Sequence, residues 1–150
     1  MKDELKKAKN LAFRLLKYRN RSEKEIVNRL KGRKISKEVI EQVITKLKSL
    51  SLLDDRKFAE SWIRERIRKG YGLLKIKSEL KEKGIRQDLL EDLLEDFNKD
   101  EWVLLQIKKL AQKKIKKYNK IDLNIKRKIL SYLVRRGFPS EKVIRVLEEL

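Results

Sequence analysis

The chain has 150 residues, with 42 Lys and Arg against 23 Asp and Glu, a formal net charge of +19, and neither cysteine nor histidine. The missing residue types exclude disulfides, thiolate nucleophiles, zinc sites built on Cys or His, and the commonest general base. The positive charge concentrates polyanions around the molecule and makes nucleic acid the first partner to consider.

No apolar run approaches the roughly 20 residues needed to cross a bilayer, and the start MKDELKKAKN carries no apolar signal core behind its lysines. A cytoplasmic protein with no membrane attachment is expected. Leu5, Ala8, Ala12, Leu15 and Leu16 form an apolar stripe at helical spacing and predict a first helix. Ser22 and Glu25 fit a capping box that opens a second. Ile26 and Leu30 then stand at i,i+4 on that helix, Ile35 falls in a loop, and Ile40, Val43, Ile44 and Leu47 mark the inner face of a third.

The pattern then repeats. Asp54 and Asp55 stand just before the stripe Ala59, Trp62, Ile63, Arg66 and Ile67, where aspartate accepts hydrogen bonds from free helix-start amides. Gly70 and Gly72 follow as stops or hinges. Ile76–Phe97 aligns with Ile26–Leu47 without a gap. Asn98 and Glu101 fit another capping box, ahead of the stripe Val103, Ile107, Leu110 and Ala111, and Ile129–Leu150 supplies a third copy of the hairpin. Seven columns are apolar in all three copies, beginning with Ile26, Ile76 and Ile129 and ending with Leu47, Phe97 and Leu150. Gly84 and Gly137 sit one residue before the loop apolar position, where a helix ends in the left-handed conformation; Lys34 replaces them in the first copy.

Each repeat is thus three helices, at residues 1–50, 51–97 and 98–150. A unit of that size buries little by itself, so an all-α tandem array of three three-helix repeats, elongated and curved and without strands, is expected.

Little in this chain suits catalysis. Acid–base work by Asp54 and Asp55 would need a pocket and a substrate-facing partner, and Gly70-Tyr71-Gly72 lacks the spacing of a nucleotide loop. Gln87 to Glu101 holds one base and seven acids, but Glu91, Asp92, Glu95 and Asp96 read as an outer helix face, not the clustered carboxylates of a magnesium-dependent phosphodiesterase. No catalytic residue, metal ligand or cofactor is expected. Trp62 and Trp102 adjoin apolar stripes and read as core.

The bases point elsewhere. Arg64 and Arg68 share a helix face, Lys69 follows, and Lys75 and Lys77 open the next helix. Lys109, Lys113, Lys116 and Lys120 form a stripe at spacings of 4, 3 and 4, and KKLAQKKIKKYNK contains no acid. One-sided basic stripes suit a phosphate backbone, whereas solvated faces usually carry Glu partners. Arg19, Arg21, Arg135 and Arg136 complete the candidates for contact with DNA or a protein partner.

LAFRLLKYRNRSEKEIVNRL, LSLLDDRKFAESWIRERIRKGYG and KIKSELKEKGI together resemble the RecX family, bacterial regulators of the RecA recombinase. The resemblance covers essentially the whole chain. It is most specific in Ala12, Leu15, Leu16, Arg19, Arg21 and Ser22, in Leu53, Asp54, Asp55, Phe58 and Ala59, and from Gly70 and Gly72 through Ile76, Glu79, Leu80, Lys83, Gly84 and Ile85. Leu73 replaces the proline that often follows the second glycine, and the third repeat matches mainly by pattern. The resemblance implies a monomeric, non-enzymatic helical array that lodges in the groove of a RecA filament on single- or double-stranded DNA. There it would block extension and reduce ATP hydrolysis, strand exchange and co-protease activity. The alternative is a general DNA-binding helical protein; its third helices, beginning KEVIEQ, QDLLED and EKVIRV, are too acidic to read a major groove.

Overall fold

The computed structural model describes residues 2–150, which form nine α-helices and no strand. In chain order these are α1 (Lys2–Tyr18), α2 (Glu23–Gly32), α3 (Lys37–Ser49), α4 (Asp55–Arg68), α5 (Leu73–Glu82), α6 (Gln87–Leu94), α7 (Asp100–Ile115), α8 (Leu123–Arg135) and α9 (Ser140–Glu148). They fall into three successive sets of three. Two compact units result, one comprising the chain up to Ser61 together with Leu80–Leu89, the other Trp62–Glu79 with Leu90–Leu150.

In the first unit the stripe of α1 meets the inner faces of α2 and α3, burying Ala8, Leu11, Ala12 and Leu15 among Ile26, Leu30, Val39, Ile40, Val43, Ile44 and Leu47, with Leu53 closing the cluster. In the second, Val103, Ile107 and Ala111 of α7 pack with Ile129 and Leu133 of α8, Phe138, and Val143, Val146 and Leu147 of α9. Of the first two columns, Ile26, Ile76, Ile129, Leu30, Leu80 and Leu133 are all buried. The last column weakens: Phe97 is half-buried and Leu150 is 38 % exposed, because α6 and α9 end at Leu94 and Glu148, before the position is reached.

The recurring loop residue has a local cause. In all three hairpins the first helix ends in a Schellman motif: Ile35, Ile85 and Phe138 donate their N–H groups to the carbonyls of Leu30, Leu80 and Leu133 at 3.2, 3.0 and 3.1 Å. Lys34, Gly84 and Gly137, one residue earlier, take φ of 60°, 83° and 101°. This motif pairs an apolar residue after the left-handed position with one in the last turn, so the Leu–Ile and Leu–Phe columns belong to the turn as much as to the core. The ends of α3 and α4 turn the same way through Ser51 and Gly70.

Helix starts divide expectation from outcome. The capping box of α2 forms as read, Glu25 N–H donating to Ser22 Oγ at 3.2 Å and Ser22 N–H to Glu25 Oε1 at 3.1 Å. The box read at Asn98 and Glu101 does not form: α7 starts at Asp100 with Lys99 as its uncapped flanking residue, since Asn98 still belongs to the turn that closes α6, its N–H bonded to Leu94. Of the acidic pair, Asp54 alone caps α4, its Oδ1 accepting from Arg56 and Lys57 at 3.0 and 3.2 Å. Asp55 is the first residue of α4 and caps another helix, Oδ1 accepting the N–H of Glu23 at 2.8 Å at the start of α2. Ser36 and Asp122, not singled out in the sequence, cap α3 and α8.

Gly72 is neither a stop nor a hinge in the left-handed sense. It is needed for close approach: its N–H donates to Arg136 O at 2.7 Å, and a Cβ there would lie 2.7 Å from Phe138 N. Leu74 N–H donates to Gly137 O at 3.1 Å. The start of α5 is therefore capped by the backbone carbonyls of the α8–α9 turn.

Candidate functional site

Within the second unit the candidate bases gather where the end of α4 meets α7 and α8. A Cβ at Gly70 would lie 3.2 Å from Leu110 and 3.7 Å from Arg136 Nη2, so the turn after Arg68 and Lys69 rests on α7 and on the end of α8. Tyr71, the residue between the two glycines, organises this region. Arg66 lies over its ring at 3.7 Å from the centroid, Arg136 at 4.2 Å and Lys75 at 5.1 Å. Arg136 also approaches the ring of Tyr132 at 5.3 Å, and Lys114 covers that ring at 4.0 Å. Arg66, Tyr71, Arg136, Tyr132 and Lys114 thus form an alternating series of cations and rings, each contact favoured by the negative face of the aromatic.

An acid anchors one end of this series. Glu79 accepts from Arg66 Nε at 2.9 Å and Nη2 at 2.5 Å, and from Trp62 Nε1 at 3.1 Å. Trp62 is half-buried and held by its indole N–H, and Trp102 is half-buried edge-on to Phe97, centroids 5.4 Å apart. Arg136 has no carboxylate; its Nη2 donates to Lys69 O at 3.3 Å and its Nε is buried without a hydrogen-bond partner.

The remaining candidates separate by what neutralises them. Arg68 Nη2 and Lys69 Nζ share Glu65 at 2.7 and 3.7 Å. The hydrogen bond from Arg68, joined by the charges of Arg68 and Lys69, holds the Glu65 carboxyl below its ordinary range despite some desolvation. These two bases therefore carry the kind of nearby Glu partner usual on a solvated helix face. Lys77 lines a groove of about 290 Å³ with Glu91 and Glu95. Arg64, Lys109, Lys113, Lys116, Lys120 and Arg135 are exposed and enter none of the described ion pairs. The lysine stripe is shorter than its spacing suggested. α7 ends at Ile115, Lys116 is its C-cap, and 3-residue turns from Lys114 and Ile115 carry the chain away, so Lys120 lies off the helix.

In the first unit Arg19 serves the start of α2 and Arg21 the end of α1. Arg19 Nη2 pairs with Glu25 Oε2 at 2.6 Å, and Lys83 Nζ approaches the same oxygen at 3.5 Å. Burial pushes the Glu25 carboxyl up, but the Arg19 hydrogen bond, the Ser22 N–H and the charges of Arg19 and Lys83 together bring it below the ordinary range. Arg21 Nε donates to Leu15 O at 3.4 Å, and its guanidinium sits 5.9 Å over the ring of Tyr18.

A cleft of about 820 Å³ in the same unit is lined by Glu23, Lys24, Lys48, Asp54, Asp55, Arg56 and Arg86, among others. Its charges serve one another: Lys48 pairs with Glu23 at 2.9 Å, Asp54 caps α4 and Asp55 caps α2. Burial raises the Asp55 carboxyl above its usual range against the pull of the Glu23 N–H. Both carboxylates are thus occupied by backbone amides. Among the described residues no group of three or more His, Cys, Asp or Glu is placed to hold a metal ion, and no helix is long and apolar enough to cross a membrane.

With three hairpins in tandem and a pair of glycines joining the second to the third, the order of elements can be set against known proteins. Family models for the RecX first, second and third three-helix domains match residues 8–47, 54–94 and 106–147. The chain belongs to the RecX family. It is 35 % identical over 146 residues to the regulatory protein RecX of Chlorobium phaeobacteroides strain BS1, covering 97 % of this chain and 94 % of that one. It is 36 % identical over 148 residues to the regulatory protein RecX of Prosthecochloris aestuarii, covering 98 % and 95 %. The crystal structure of RecX from Lactobacillus salivarius superposes with a TM-score of 0.83 at 30 % identity, over 100 % of this chain and 98 % of that one. In RecX terms Tyr71 and its cations join the second three-helix domain to the third, and Ser22, Arg19 and Glu25 lie within the first.

Proposed function

We propose that this chain is a regulator of a RecA-type recombinase that lodges in the groove of the recombinase filament on DNA and mostly inhibits its ATP hydrolysis, strand exchange and co-protease activity. Membership of the regulatory RecX family over nearly the whole chain carries this reading. Contact with a polyanion is supported by the exposed bases Arg64, Lys109, Lys113, Lys116 and Arg135, which enter none of the described ion pairs. Such charges raise the encounter rate with phosphates, while contacts to phosphate oxygens position a protein without reading sequence. A monomer of this kind acts in the cytoplasm, by occupancy and not by chemistry, with no cofactor.

Titration into preformed recombinase–single-stranded DNA filaments, with ATP hydrolysis followed, tests the reading. A saturable, dose-dependent fall is expected. A flat response at saturating protein removes it, and a flat response together with binding to naked DNA would favour a general DNA-binding protein.

A further inference from the structure

The outer face of α1 is absent from the candidate bases above, yet it is the longest helix in the molecule and its charge is one-sided. Its inner face buries Ala8, Leu11, Ala12 and Leu15. At 100° per residue the opposite arc carries Lys6, Asn10, Phe13, Arg14 and Lys17, flanked by Lys7 and Tyr18, and all seven are exposed. No acid occurs between Glu4 and Glu23, and Lys6, Lys7, Arg14 and Lys17 enter none of the described ion pairs.

Two aromatic rings separate this arc from an ordinary solvated face. Phe13 is 40 % exposed and Tyr18 84 % exposed. They are the only large apolar side chains exposed on α1, so the arc offers rings and cations but no aliphatic anchor. Arg21 lies 5.9 Å over one side of the Tyr18 ring, placing a fixed cation beside it. Cores of protein–protein interfaces are depleted in lysine, whereas a phosphate backbone accepts lysine as a point charge and unpaired bases stack on exposed rings. Duplex DNA would satisfy the cations and leave the rings unused, because its base faces are already stacked.

We propose that the outer arc of α1 binds single-stranded nucleic acid, Phe13 and Tyr18 stacking on bases while Lys6, Arg14 and Lys17 hold phosphates. The span from Lys6 to Lys17 is about 16 Å, long enough for several consecutive phosphates to pass. The site does not depend on a recombinase, so it is tested without one.

The full chain is titrated against a 5′-fluorescein-labelled oligo(dT) and, separately, a labelled duplex, with anisotropy read across a range of NaCl concentrations. F13A/Y18A is expected to weaken oligo(dT) binding about fivefold or more per ring, with an unchanged salt slope and little effect on duplex binding. K6Q/R14Q/K17Q is expected to make the slope of log affinity against log salt shallower by about 2. Circular dichroism and melting of both variants should match the parent, since every substituted side chain is exposed. Parental oligo(dT) affinity in both variants overturns the proposal. So does an equal loss on oligo(dT) and duplex in F13A/Y18A, because the rings would then not be stacking. Unaltered oligo(dT) binding with lost inhibition of recombinase filaments would assign the arc to an acidic protein surface instead, and also overturns it.

Discussion

Arg136 lies over the ring of Tyr71, 4.2 Å from its centroid, with Arg66 over the same ring at 3.7 Å. The pair joins the α4–α5 turn to the end of α8, beside the backbone hydrogen bond from Gly72 to Arg136 O. With no carboxylate on Arg136, its planar faces find compensation on Tyr71 and Tyr132. A desolvated cation–ring contact is worth up to about 2 kcal/mol. A double-mutant cycle of Tyr71→Leu and Arg136→Leu, followed by urea unfolding, is expected to show a favourable coupling of about 1 kcal/mol. Strict additivity would mean that the two side chains merely adjoin.

Leu80 is fully buried, in the column of Leu30 and Leu133, and its carbonyl closes the Schellman turn at Ile85. Leu80→Ala should cost about 2–5 kcal/mol, and Leu80→Asp should abolish the cooperative melting of the middle repeat by burying an unpaired charge. A cooperative transition near the parental temperature for Leu80→Asp would overturn the alignment of the three repeats.

The two aspartates at the start of α4 should respond differently. Asp54→Ala removes the α4 cap and should cost about 0.5–2 kcal/mol, read as a lowered urea midpoint with an unchanged slope.

Asp55 carries a pH signature as well. Burial raises its carboxyl pKa in the folded protein above the unfolded value near 4. The folded state therefore holds this proton more tightly, and ionisation of Asp55 lowers stability as pH rises from about 4 through the raised folded pKa. Asp55→Asn keeps an oxygen for the Glu23 N–H and removes the charge. Near pH 7 it should be as stable as the parent or more so, the advantage shrinking as pH falls toward 4. A variant less stable at pH 7 by the cost of a lost cap would show that the ionised form is what α2 needs.

Lys109, Lys113 and Lys116 provide the test of the basic surface of α7. Replacing all three by Glu should leave helicity intact, because exposed positions contribute little to folding. Affinity for DNA or for the recombinase filament should fall, and a shallower salt slope would identify phosphate contacts. Inhibition and salt dependence identical to the parent would show these lysines to be solvated only, and would direct attention to Arg64 and Arg135.

The repeated hairpins were legible because their signals are local. Apolar positions at 0, 3, 4 and 7 describe one helix face whatever it packs against, and Gly84 and Gly137 mark the only backbone conformation that closes a Schellman turn cheaply. The capping box at Ser22 involves four consecutive residues. Asn98 and Glu101 show the same spacing and fail, because the turn closing α6 already uses Asn98. Local chemistry permits a cap but does not decide which residue starts the helix.

The partners of the long charged side chains were not legible. Nothing near Asp55 in the chain says that it receives the N–H of Glu23, 32 residues earlier, or that Tyr71 will be covered by Arg136. Glu65 neutralises Arg68 and Lys69 from three and four positions away, a pairing that spacing allowed but could not select over solvent. The sequence by itself determined nine helices in three hairpin repeats, the turns between them and a large positive charge, since each depends on periodicity, backbone conformation or composition. Only the tertiary structure decided which of those charges are spent on rings, caps and ion pairs and which face outward, because a flexible cation takes whichever acid, ring or phosphate the packing of other helices brings within its reach.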